Sequence, residues 1–293
     1  MFRSGFVAVL AMSSLAMSSI ALPAAGWAYE IKPKTPDAAF SAKLQPDIVG
    51  LSSNTEGSKA ASLLEAYLKD LPGVKPEASQ QKFGGTNVTY VTVMKFNSPA
   101  SSNHPGESMM AAFSSPASAN RAYYISRNLG FATNNQPSKA EMIERVTAKY
   151  GPPTAIGDGR LYYFYKAGKV MSVKQKYTPA SALDALNAPI NPKIAVALND
   201  ANGRGSCVAA LKRAQAADKT LDKLAAEAKA ANCDGLVAVE LSPGITPDRV
   251  NKAEFTLIDF KQIVSAAKID QDAFAAEKNE ALNKTPLGNA PKL

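Results

Sequence analysis

One histidine, two cysteines and a group of tyrosines beside arginines are the residues through which this chain could do chemistry. His104 stands in the turn-like stretch Ser101-Ser-Asn-His-Pro105, with no acid converging on it in sequence. Hydrolysis through a nucleophile needs a nucleophile, a base and a group that orients the base, and a lone loop histidine offers one of the three. The same histidine is one ligand where a zinc site needs three or four, so no metal and no cofactor is expected. Cys207 and Cys233 form an even pair, which in an oxidising compartment reads as a disulfide; two buried thiols are the alternative. Asn202-Gly-Arg-Gly-Ser206 has the amides for an anion nest. It lacks the glycine pattern and the lysine of a phosphate loop, and reads more simply as a turn delivering Cys207. Paired carboxylates remain a chemistry that any fold can assemble, and no spacing here selects a pair.

The richest constellation is aromatic and cationic. Arg121, Tyr123, Tyr124, Arg127, Tyr162, Tyr163 and Tyr165 fall in two short stretches. If their strands pair, Arg121, Tyr124, Arg127, Tyr163 and Tyr165 make a candidate binding face, because tyrosine offers an apolar body with a polar tip. The alternative is that a neighbouring helix covers the rings.

That helix, and the strand before it, must position these groups. From Arg121 to Phe131 the residues alternate, with Tyr123, Ile125, Leu129 and Phe131 on one side with Arg127, and Tyr124, Ser126 and Asn128 on the other; this period of two marks a half-buried strand. Ser138 and Glu141 have the spacing of a reciprocal capping box, and Met142, Ile143, Val146 and Tyr150 form one stripe of the helix that follows. Gly151-Pro152-Pro153 ends it.

Residues 1–28 read as a secretory signal peptide: Arg3 precedes the apolar stretch Phe6–Leu22, Pro23 breaks it, and Gly26 and Ala28 suit a cleavage site. An uncleaved anchor is the alternative. Residues 29–46, with Pro33, Pro36 and Pro46, read as a flexible lead-in. A helix over Ser58–Leu71 carries Leu63, Leu64, Tyr67 and Leu71 on one face, matching Met142, Ile143, Val146 and Tyr150 of the second helix. Strands at Val88–Phe96, Glu107–Phe113 and 121–131 follow the first helix, and Leu161–Tyr165 with Val170–Val173 follow the second. Either this is a tandem helix-and-sheet repeat over 47–177, or two amphipathic helices agree by chance. From 178 to 282 the composition turns to alanine, lysine and aspartate. A short helix at Ser181–Asn187, a strand at Lys193–Leu198, helices within Val208–Ala231, a hairpin of Leu236–Leu241 with Ala253–Asp259, and a helix over Phe260–Leu282 form a second α+β part, and 283–293 a flexible tail. A bridge from Cys207 to Cys233 would staple the helical segment between them, worth about 3 to 4 kcal/mol by chain entropy.

Two helix-then-sheet units in an exported chain resemble the tandem-repeat superfamily of the β-lactamase inhibitor proteins and the small outer-membrane-assembly lipoproteins. The resemblance spans residues 45–175 and rests on element order and spacing. Those units usually open with two helices, whereas here one opens each. The resemblance implies a protein-binding module and carries over no functional residue.

The formal net charge of +8 is spread along the chain rather than clustered. It suits solubility and lacks the stripe of a nucleic-acid binder. No apolar run after the first 28 residues is long enough to span a bilayer. The expectation is therefore an α+β protein of antiparallel sheets and packed amphipathic helices, periplasmic or secreted. It would act as a non-catalytic binder of an envelope protein or glycan, with its oligomeric state open. The competing expectation is a carboxylate-based hydrolase of envelope polysaccharide or peptide.

Overall fold

The computed structural model describes residues 29–40, 45–71, 73–101, 104–171, 182–190 and 207–284. The expected signal segment, the strand at 193–198, the turn at 202–206 and most of the tail lie outside them. An α+β fold is present: nine antiparallel strands form one sheet, with helices on both faces. The strands are β1 (Glu77–Lys82), β2 (Thr89–Ser98), β3 (Gly106–Phe113), β4 (Ala122–Gly130), β5 (Ala155–Gly157), β6 (Arg160–Lys166), β7 (Lys169–Val170), β8 (Gly235–Pro243) and β9 (Val250–Asp259). The helices are α1 (Gly57–Leu68), α2 (Lys139–Tyr150), α3 (Ala182–Asn187), α4 (Cys207–Ala216), α5 (Leu221–Lys229) and α6 (Phe260–Lys284).

Local sequence explains α2 well. Ser138 accepts a hydrogen bond from the Glu141 amide at 3.1 Å, and Gly151, at φ 80°, ends the helix in a conformation that a side chain would strain. The Glu141 carboxylate does not reach back to the cap. It turns to Arg145, one helical turn on, whose Nη2 lies 2.9 Å away, because an ion pair at that spacing competes with the capping bond. In α1 the stripe is turned from the expected one: Ala60, Leu64 and Leu68 are buried and Leu63 is exposed.

The sheet order β1-β2-β3-β4-β9-β8-β6-β5, with β7 on β6, places the C-terminal hairpin between the two helix-and-strand units. Tyr124 pairs with Ile258 across β4 and β9, and Tyr163 with Val237 across β6 and β8. The expected boundary near residue 177 therefore does not divide the sheet. Strands on both sides of it share one ladder, because β8 and β9 are apolar on both faces and need cover on each.

The first face of the sheet lies under α1, α2 and α3, with Ile125, Leu129, Tyr163, Val237 and Leu257 at its centre. The second lies under α4, α5 and α6, over Tyr124, Phe164, Leu236 and Ile258. Tyr123 joins Tyr124 on this second side rather than Ile125, because a register shift between Ala112 and Phe113 turns the start of β4.

Residues 29–40, expected as part of a flexible lead-in, are seated. The Lys34 amide bonds to the Ala117 carbonyl, the Asp37 amide to Ser265 Oγ and the Ala39 amide to Asp259. Phe40 meets Tyr165 edge-on, with ring centroids 4.8 Å apart. The strap passes so close over the start of β8 that a Cβ on Gly235 would stand 2.8 Å from that of Ala39. Prolines discourage helix and sheet within a segment, but long-range amide bonds hold it all the same.

Candidate functional site

The five residues of the expected binding face do not share a surface. Tyr163 and Tyr165 are buried on the first face, where Tyr150 of α2 packs on Tyr163 with centroids 5.5 Å apart. Tyr124 is buried on the second, with Lys219 Nζ 5.2 Å from its ring centroid. Arg121 sits at the entry to α1, where it pairs with Glu56 at 3.1 Å and donates to the Asn54 carbonyl. Helix cover thus accounts for the rings, since an uncovered face of this size would leave too much apolar area in water.

Arg127 belongs to a cluster that pattern reading missed. Its Nε lies 2.6 Å from Glu107 Oε1, and its Nη2 2.6 Å from Tyr67 Oη, which in turn donates to Glu107 Oε2 at 2.8 Å. The guanidinium lies 5.5 Å from the Tyr67 ring centroid and 5.9 Å from that of Phe255. Burial and the neighbouring carboxylate push the Tyr67 hydroxyl up to about 12, so it stays a donor at any physiological pH. A sequence signal existed: Glu107 alternates with Met109, Ala111 and Phe113, and Arg127 with Ile125 and Leu129, so an acid and a base each fall on an apolar strand face. Groups so placed must find one another or remain unpaired in the interior.

Two further buried acids tie helix α6 to the sheet. Asp259 ends β9, accepts from the Gln262 amide at 2.8 Å as a helix cap, and takes the Ala39 amide on both oxygens. Burial pushes its carboxyl up to about 7, against the pull of those amides in the other direction. Asp270 accepts from Ser115, from Oγ at 2.7 Å and from the amide at 3.0 Å, and burial raises its pKa also.

A concavity opens on each face of the sheet. On the second face a groove of about 2100 Å³ runs between α5, α6 and the sheet. Tyr90, Thr92 and Met110 form its floor, and the small side chains Ala225, Ala228 and Ala267 its walls. Alanine at these helical positions leaves open the space that larger residues would fill. On the first face a slot of about 410 Å³ lies between α2 and β4, with Arg127, Phe131, Met142 and Phe255 among its walls.

The Cys207–Cys233 disulfide is present, with Cα atoms 5.8 Å apart, and joins the first turn of α4 to the approach to β8. Among the described residues, His104 bonds within its own loop, its amide to Ser101 Oγ and its ring to the Pro105 carbonyl. Among the described residues no group of three or more histidine, cysteine, aspartate or glutamate side chains is placed to hold a metal ion. No helix among them is long and apolar enough to cross a membrane. No family model, curated protein or solved structure matches the chain.

Proposed function

We propose that this is a non-catalytic binding protein that acts outside the cytoplasm and holds an extended polypeptide segment of an envelope partner in the groove on its second face. The groove carries the reading. At about 2100 Å³ it exceeds the roughly 300–1,000 Å³ of ordinary small-ligand sites. Its floor is sheet and its walls are alanine-lined, a shape suited to a chain that lies along it. The Cys207–Cys233 bridge fits an oxidising compartment, in keeping with the signal-peptide pattern of residues 1–28. The three buried carboxylates, Glu107, Asp259 and Asp270, are each engaged by donors from the fold itself, which favours binding over acid-base hydrolysis. Resemblance to the tandem helix-and-sheet binders points the same way.

A photo-crosslinking residue at position 267 or 92, inside the groove, tests the reading in intact envelopes, with position 59 on exposed α1 as control. Discrete protease-sensitive adducts at 267 and 92, absent at 59 and lost when Ala228→Trp fills the groove, are expected. No adducts in the groove, or equal adducts at 59, would refute it, and protease-resistant adducts would replace the peptide with a glycan.

A further inference from the structure

The slot on the first face has a polarity that its position in the fold explains. Strand β4 runs from Arg127 towards Phe131, and after a short turn α2 returns alongside it from Lys139 to Tyr150. Arg127 and Lys149 therefore gather at one end, and Phe131 with Met142 at the other; Val146 and Phe255 line the path between. From residue 127 to residue 131 an extended strand covers roughly 13 Å. The slot's volume of about 410 Å³ is within the usual range of small-ligand sites.

The cationic end has unused capacity. Glu107 and Tyr67 engage Nε and Nη2 of Arg127, and among the described residues Nη1 takes no partner. The guanidinium lies against the rings of Tyr67 and Phe255. Of the acids nearby, Glu107 is bound to Arg127, Asp47 to Lys149 at 2.9 Å, and Glu141 to Arg145. Recognition would thus rest on directed hydrogen bonds in a partly dry site more than on net charge.

We propose that this slot binds a single-chain carboxylate, with the anionic head on Arg127 and Lys149 and the alkyl chain running towards Phe131. Arginine's planar fork suits a carboxylate, and the path past Val146 and Phe255 to Phe131, about ten carbons long, suits the chain, with Glu141 and Arg145 at its rim paired to each other.

Decanoate is the probe, measured by calorimetry on the full chain. Binding in the tens of micromolar is expected, with decanol and decyltrimethylammonium at least tenfold weaker. Across shorter carboxylates, affinity should rise by roughly fourfold per methylene and level off near ten carbons. Lys149→Ala, at an exposed position, should weaken binding about threefold, and Arg127→Gln at least tenfold. Met142→Trp, which blocks the apolar end, should abolish long-chain preference and decides the matter if Arg127→Gln fails to fold. Ala228→Trp in the groove should leave decanoate binding unchanged, so this proposal and the groove reading fail separately. Equal binding of decanol, no binding of decanoate, or indifference to Lys149→Ala and Met142→Trp would overturn it.

Discussion

The two faces of the sheet are closed by different means. On the first, large side chains from α1 and α2 press on Tyr163, Tyr165 and Phe255, and the half-buried Arg127 is matched by Glu107 and Tyr67. On the second, helices rich in alanine lie over the strands, tied by the disulfide and by the bonds of Asp270 to Ser115. Large residues leave the first face a slot, and small ones leave the second a groove about five times its volume. Side-chain volume on the covering helices, rather than the sheet itself, decides how much space each face keeps.

The contrast can be broken at its charges first. Glu107→Leu leaves Arg127 without its carboxylate in a partly dry site and should cost about 3 kcal/mol in denaturant unfolding. Adding Arg127→Met should recover most of that loss; if the single and double variants are equally unstable, the first face owes little to charge pairing.

Where β9 passes into α6, Asp259 should give stability a pH dependence of the opposite sense to that of a paired carboxylate. Its folded pKa, about 7, lies above the unfolded value of about 4. The native state therefore holds the proton longer, and unfolding free energy falls as pH rises from about 4 to about 7, then levels off. The size is on the order of a few kcal/mol. Asp259→Asn should flatten this slope, and melts at several pH values in both proteins measure it.

Loss of the Cys207–Cys233 bridge comes next. A double serine variant should lose about 3 kcal/mol while Tyr163 and Tyr165 stay covered, so hydrogen exchange should quicken in α4 more than in α2. Uniform quickening would mean that the two faces unfold as one. Labelling of both cysteines in unreduced, alkylated protein would remove the bridge itself. The smallest effect belongs to Arg145→Ala, an exposed pair with Glu141, which should stay within about 0.5 kcal/mol.

Much of this architecture was legible before any coordinates. The Ser138 cap, the Gly151 stop, the alternation along most of β4, the strands of the C-terminal hairpin and the cysteine pairing all depend on neighbours in sequence or on a count of two. The reading failed where partners were remote. Tyr124 and Tyr163 looked like one face, yet β9 and β8 stand between their strands and they point to opposite sides. The prolines at 33 and 36 suggested a loose strap, whereas its seat is made by Ala117, Asp259 and Ser265, far along the chain. Glu107 and Arg127 each broke an apolar pattern, and only the register of β3 on β4, which sets Met109 opposite Arg127, brought them within reach.

By itself, the order of residues determined the elements, their ends and the sulfur bridge, because capping, periodicity and turn chemistry act over a few residues. Tertiary structure alone decided that a C-terminal hairpin would become the centre of the sheet, that the tyrosines would be covered, and that a slot and a groove would open on opposite faces. Those outcomes turn on which distant surfaces bury one another and how much volume their side chains leave, quantities that no local stretch of sequence contains.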